Sequence, residues 1–342
     1  MAVDCLRPRV ALALQGGGSH GAYGWGAIER FLQEDVEIVA ISGASAGALN
    51  GAAVVAGMSA NGRKGALEGL ERLWTTVARL SPLRTLDGGW LPGSLMEPWI
   101  RLSLQWGKLL SPLLSPLMPG VRDMSVLRRI VSETIDLSGL RRGGAIPLHI
   151  SATRVANGSA RLFGNEEIDL DALMASACLP EVFAAVRIDG EEFWDGGYSA
   201  NPALEPLLLA EDATDILILQ ITPFDVDKVH HSLSATVARI SDIGFNACLL
   251  RDLKALTELQ EALRESPSPP GALRPIERIN LHLVQASPEL SSRGPASKSD
   301  TRPSTLQNLR RIGYETMDAW LSEHRPELGH RSTITRQEAE AA

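Results

Sequence analysis

Short apolar runs alternate with longer stretches of helical period along this chain. Residues 9–15 (RVALALQ) and 36–41 (VEIVAI) read as buried strands. After the first, Ala27, Ile28, Phe31 and Leu32 recur at helical spacing; after the second comes a run of small residues able to pack closely as a helix. Residues 64–80 carry an amphipathic helical pattern and 121–135 a solvent-facing one. The pattern returns to strand at 147–155, with 161–163 as a hairpin arm. Residues 169–183 open as a helix with an acidic first turn and end in small residues around Pro180. A hairpin turning at Asp189-Gly190 follows. Strands at 215–223 and 279–286 flank a helical stretch from 232 to 264, and a final helix covers 305–321. Segments rich in Pro, Ser and Gly at 81–94, 266–271 and 291–304 are loops. The polar tail, 329–342, is expected to be mobile.

Between 95 and 113, Leu95, Trp99, Leu102, Trp106, Leu109 and Leu113 recur at alternating spacings of four and three, with Arg101 and Lys108 off the stripe. This helix has two readings: an ordinary core helix, or one that covers an active site or lies in a membrane interface. The closely spaced prolines of SPLLSPLMPG end it.

Composition narrows the choices. Across 342 residues, 44% hydrophobic and 22% charged is a soluble globular balance with enough apolar material for one large domain or two. A net charge of −8 argues against a nucleic-acid-binding surface. Cys5, Cys178 and Cys248 are an odd count without C-x-x-C spacing, so neither a disulfide framework nor a metal site is expected, and a reducing compartment suits the chain. The first apolar run is too short for a signal peptide, and no stretch of 18 uncharged apolar residues exists. The expected location is the cytoplasm, with residues 95–113 as the candidate for peripheral membrane contact.

Candidate chemistry gathers at glycines. Gly43-Ala44-Ser45-Ala46-Gly47 spells G-x-S-x-G between the second strand and the small-residue helix. Strand, sharp turn and helix is the context of a nucleophile elbow, in which Gly43 and Gly47 give room for a strained turn and Ser45 stands at its tip. Upstream, Gly16-Gly17-Gly18-Ser19-His20-Gly21 joins the first strand to a helix N-terminus, an anion site by its free N–H groups and dipole. Two chemistries use such a site. Gly16, Gly18 and Gly21 spell G-x-G-x-x-G, the dinucleotide fingerprint, but the strand that should end in a ribose-binding carboxylate ends in Ile41-Ser42-Gly43. The alternative is an oxyanion hole, which requires a nucleophile on the adjacent turn, and Ser45 supplies one.

A serine hydroxyl needs a group to take its proton. Of seven histidines, His149 and His282 fall inside predicted strands, His230 and His231 in a polar loop, and His324 and His330 near the C-terminus, while His20 belongs to the glycine loop. His282 is a poor match to triad order. Asp195 is better placed, at a strand end and followed by Gly196 and Gly197, which let the backbone turn tightly. A carboxylate in reach of Ser45 can act as base for attack, return the proton to the leaving alkoxide and then activate water.

GGGSHG, ISGASAG and DGG, in that order, with ASACLPEVF before the aspartate, resemble the patatin-like phospholipases over roughly residues 10–208. The resemblance implies a three-layer α/β/α fold with a central, mostly parallel sheet, and a lipid acyl hydrolase of the phospholipase A or lysophospholipase type that needs no cofactor. It assigns Ser45 as nucleophile, Asp195 as dyad base, Gly16, Gly17, Gly18 and Gly21 as the oxyanion loop, Gly43 and Gly47 as the elbow, and Gly196 and Gly197 as the supporting turn. Many relatives carry an aspartate where Gln15 stands and an Arg or Lys where His20 stands, departures that bear on headgroup preference. Residues 10–208 are then the catalytic domain, with 209–328 completing the same globular unit. An esterase for hydroxyalkanoates or other non-phospholipid esters would use the same machinery. A nucleotide-binding oxidoreductase and a catalytically silent membrane-surface module are the rivals from other classes.

Overall fold

The computed structural model describes residues 7–81, 124–210, 213–225, 233–267, 270–293 and 295–334. The helix expected at 95–113, and Cys5, lie outside these residues. In chain order the elements are β1 (Arg9–Leu14), α1 (Gly21–Phe31), β2 (Glu37–Ala44), α2 (Ala46–Leu80), α3 (Ser125–Thr134), β3 (Leu148–Arg154), β4 (Ala160–Phe163), α4 (Leu170–Ser176), β5 (Val186–Ile188), β6 (Glu191–Asp195), α5 (Glu205–Leu208), β7 (Asp215–Leu219), α6 (Leu233–Glu265), α7 (Arg274–Arg278), β8 (Asn280–Val284), α8 (Pro288–Ser291) and α9 (Pro303–His324).

The strands form one sheet in the order β5-β6-β3-β2-β1-β7-β8, with β4 also paired to β3. The pairs β3–β2, β2–β1, β1–β7 and β7–β8 are parallel, and β4, β5 and β6 join antiparallel. A parallel sheet must be covered on both faces, so its central strands read as continuous apolar runs. β1 shows how: Val10, Leu12 and Leu14 pack in the core shared with α1, α2 and α9, while Ala11 and Ala13 pack against α5 and α6 on the other face. The result is the expected three-layer α/β/α fold.

The helices after the elbow follow the pattern, and the tail departs from it for a physical reason. The small-residue helix after the elbow and the amphipathic helix at 64–80 are two segments of α2, separated where Asn61 (φ −152°) and Gly62 (φ +57°) leave helical geometry and the chain folds back: a Cβ on Gly57 would stand 2.2 Å from Gly65 O, and Trp74 Nε1 donates to Asn50 Oδ1 (2.8 Å). The expected mobile tail is tied down through Ile334: Gly329 N–H donates to both carboxylate oxygens of Asp215 (2.9 and 3.0 Å), and Thr333 N–H donates to Leu281 O (3.0 Å). Asp215 also holds His282 Nε2 at 2.8 Å, so a buried polar pair supplies the anchor that tail composition does not reveal.

Candidate active site

Ser45 is the hinge between β2 and α2. Its φ of 53° and ψ of −123° lie in a region that a side chain with a Cβ occupies only under strain, at a cost of roughly 1–3 kcal/mol. Surrounding contacts hold it there. Its N–H donates to Ser176 Oγ (3.0 Å), and its carbonyl accepts from Leu49 N–H (3.1 Å). The flanking glycines serve close approach: a Cβ on Gly47 would stand 2.1 Å from Leu14 O, and one on Gly43 would stand 2.6 Å from the Gly47 carbonyl carbon. The first turn of α2 therefore rests on the end of β1.

Asp195 ends β6, and the register brings it to the same place. Ala44, the residue before Ser45, pairs with Ser151 of β3, and Asp195 pairs with the next residue, Ala152. Asp195 is fully buried; its N–H donates to Cys178 O (2.8 Å) and its Oδ1 accepts from Gly197 N–H (2.8 Å). Oδ2 is buried with no hydrogen bond of regular geometry, yet the Ser45 hydroxyl is near enough to favour the ionised carboxylate. The contact is thus looser than a formed hydrogen bond, as is common before substrate binds. Burial pushes the Asp195 carboxyl up to about 7, with the Glu181 charge adding to the rise and the Gly197 and Ser45 contacts opposing it. Gly196 and Gly197 are small because of what faces them: Cβ atoms there would lie 2.2 Å from Ser151 O and 2.3 Å from the Phe245 ring.

The glycine loop lies against the elbow, since a Cβ on Gly16 would stand 2.8 Å from Ser45 Cβ. The four glycines expected to form the oxyanion loop have different surroundings within it. Gly16 N–H is occupied by Asn201 Oδ1 (2.7 Å), and Gly21 N–H turns back to the Gly18 and Ser19 carbonyls. Gly21 is small because Ala46 Cβ and the Trp74 ring press on it. Among the described residues, the Gly17 and Gly18 N–H groups have no partner. Gly18 adopts φ +61° with the Lys298 carbonyl where a Cβ would be, so only glycine fits.

Three contributors were not singled out from sequence. Ser176 and Cys178, in the small-residue block before Pro180, hold the N–H groups of Ser45 and Asp195 respectively. Asn201 holds Gly16 and donates to Phe245 O (3.1 Å). Gln15, expected to bear on headgroup preference, is instead a buried bracket. Its Oε1 accepts from the Ile221 and Thr222 N–H groups, and its Nε2 donates to Asn246. The ASACLPEVF block carried a signal in its small residues; Gln15 stood out only as a departure from the family pattern, and Asn201 carried no signal.

Among the described residues no histidine hydrogen-bonds Ser45 or Asp195. His20 pairs with Ser297, His282 with Asp215 and Thr333, and His324 with Glu327. A cavity of about 650 Å³ between β4, α5 and α6 is lined by Tyr198, Ser199 and Cys248 among others, but by neither Ser45 nor Asp195, and stands apart from this constellation.

Against known families, residues 12–208 match the model of the patatin-like phospholipases, which covers the strand–loop–helix units just described. The chain belongs to the patatin-like phospholipase family. This is a family of lipid acyl hydrolases, and lipids are the substrates that membership supports. Among solved structures, VipD from Legionella pneumophila is similar at a TM-score of 0.44 and 14% identity, covering 98% of this chain and 74% of that one. No curated protein sequence matches. Within the described residues of this patatin-like chain, no helix is long and apolar enough to cross a membrane.

Proposed function

We propose that the protein cleaves carboxylic ester bonds of lipids, in the manner of a phospholipase A or lysophospholipase, by a Ser45–Asp195 dyad and an acyl-enzyme. The observation that carries the proposal is the strained Ser45 beside a buried carboxylate whose Oδ2 has no other partner. Asp195 takes the hydroxyl proton as Ser45 Oγ attacks the ester carbonyl. The tetrahedral intermediate's oxygen receives the unpartnered N–H groups of Gly17 and Gly18, donors already in place before charge develops. Collapse expels the alkoxide, which takes the proton back from Asp195. Water then attacks the Ser45 ester with Asp195 again as base; the acyl carbon–Oγ bond breaks, Asp195 returns the proton to Ser45 Oγ, and the fatty acid leaves. An acidity near 7 suits a group that must accept and return a proton at neutral pH.

Labelling with a fluorophosphonate probe, followed by hydrolysis of phospholipids, lysophospholipids, hydroxyalkanoate oligomers and short soluble esters, tests this reading. Wild type should label and Ser45→Ala should not, with ester turnover reduced by at least roughly 10³-fold and the fold retained. Turnover of Ser45→Ala within tenfold of wild type would remove Ser45 from the mechanism. Preference for hydroxyalkanoates over every lipid would keep the dyad and change the substrate.

A further inference from the structure

The glycine loop is covered by a segment well outside the residues that define the family match. The turn Pro295–Ser299 sits on Gly18–His20, and three contacts join them. Ser19 Oγ donates to Ser297 O at 2.9 Å, His20 Nε2 shares a hydrogen bond with Ser297 Oγ at 2.8 Å, and the Lys298 carbonyl fills the space beside Gly18 Cα. The turn is itself anchored, because Lys298 Nζ bonds Asp242 Oδ1 of α6 at 2.6 Å and Thr222 Oγ1 at 3.2 Å. Thr222 follows β7, and its N–H is held by Gln15 at the start of the same loop. The two glycines that bear the unpartnered N–H groups are thus packed between Ile221, whose Cγ2 would stand 2.6 Å from a Cβ on Gly17, and the Lys298 carbonyl, 2.5 Å from a Cβ on Gly18.

We propose that Ser297 and Lys298 are positioning residues for the oxyanion donors, so that the C-terminal strap sets the aim of the Gly17 and Gly18 N–H groups without touching substrate. The inference rests on the dyad reading above. Three observations support it. A glycine has the widest backbone freedom of any residue, so the φ of +61° at Gly18 is fixed by what packs on it rather than by its own chemistry. Ser297 alone engages two successive loop residues, one through its carbonyl and one through its hydroxyl. His20 stays neutral over the working pH range, held down to about 3 by burial and then by the nearby Lys298 and Arg293 charges, so its bond to Ser297 does not titrate away near neutrality.

The test compares Ser297→Ala, Ser297→Thr and Lys298→Met with wild type on a short soluble p-nitrophenyl ester. Affinity for a trifluoromethyl ketone, whose serine adduct places an oxyanion at the same position, is measured alongside. A misdirected oxyanion donor costs on the order of 10²-fold. Ser297→Ala and Lys298→Met should lose about 10- to 100-fold in kcat with KM changed little, and ketone affinity should fall by a similar factor. Ser297→Thr, which keeps the hydroxyl, should recover most of the activity. Unchanged kcat and ketone affinity in both Ser297→Ala and Lys298→Met would overturn the proposal, as would losses that track a fall in melting temperature and are equally present in Ser297→Thr. If Ser297→Ala fails to fold, Lys298→Met and Ser19→Ala, which removes the loop's own side of the clamp, decide the question by the same two readouts. Ser45→Ala in parallel separates the layers: an active Ser45→Ala sinks the dyad, whereas an inactive one beside an unimpaired Ser297→Ala sinks only the strap.

Discussion

At the scale of single residues, the burial of Asp195 makes two opposite demands on the same carboxylate. It must be ionised to act as base, so kcat/KM should rise with pH through about 7 and fall roughly tenfold per unit below it. The Glu181 charge contributes to the raised value, and Glu181→Gln should therefore move the acid limb to lower pH. A limb that stays in place would mean another group controls it. The stability consequence has the reverse sign. A carboxyl whose folded value lies above its ordinary 3.8 destabilises the native state as pH rises from about 4 to about 7. Asp195→Asn keeps an oxygen for Gly197 N–H yet carries no charge, so it should be almost inactive while its melting temperature gains on wild type across that same range. An Asn variant less stable than wild type at pH 8 would contradict the burial argument. Both residues of the proposed dyad could be picked out in the sequence because each sits in a short pattern of glycines. The division of labour within Gly16–Gly21 was not. Which N–H groups are free depends on Asn201, a residue 185 positions away in the chain from Gly16, and no local pattern announces it.

At the scale of elements, glycines that look like turn formers are often packing residues. α1 and α9 meet backbone to backbone: a Cβ on Gly26 would lie 1.8 Å from Arg310 O, and one on Gly313 would lie 1.9 Å from Tyr23 O. Arg310 reinforces the contact through both carboxylate oxygens of Glu29 (2.7 and 2.8 Å) and by stacking 4.3 Å above the Trp25 ring. Because neither backbone can yield cheaply, Gly26→Ala should cost about 3 kcal/mol or more by overpacking. Gly143→Ala, where nothing lies within 4 Å, should be nearly neutral, and chemical denaturation of the two variants side by side checks the contrast. Comparable midpoints would show that the helices separate easily. The apolar runs and helical spacings located the strands and most helices, since burial on both faces of a parallel sheet leaves a plain trace in sequence. The break in α2 showed in the sequence as the boundary between the small-residue run and the amphipathic pattern at 64–80, but its fold-back did not. Asn61 and Gly62 end one helical segment and let the next fold back on it, and the small residues Ala53, Gly57, Gly65 and Gly69 that allow the close approach signal packing without naming the partner.

At the scale of the whole molecule, the family match stops at residue 208 but the sheet does not. β7 pairs with β1 along Val10–Leu14, the strand that carries the glycine loop, and β8 pairs with β7. The apolar face formed by Ala11, Ala13 and Ala40 is covered mainly by residues after 200, including Leu207, Ile216, Ile218, Leu249 and Leu253. Removing everything after Leu208 would therefore strip β1 of one neighbour and leave an unpaired, fully apolar edge, the kind that associates with other chains. It would also remove the Gln15 bracket at Ile221 and Thr222, so loss of fold and loss of loop geometry would come together. A chain ending at residue 208 should aggregate or remain unfolded, with no cooperative thermal transition and no fluorophosphonate labelling. Supplying residues 209–342 as a separate chain during refolding should restore both in part, because the missing contacts are parallel pairing and apolar packing rather than covalent continuity. A monomeric, cooperatively melting 1–208 fragment would show instead that the catalytic unit closes on itself, and that β7 and β8 are an addition to it.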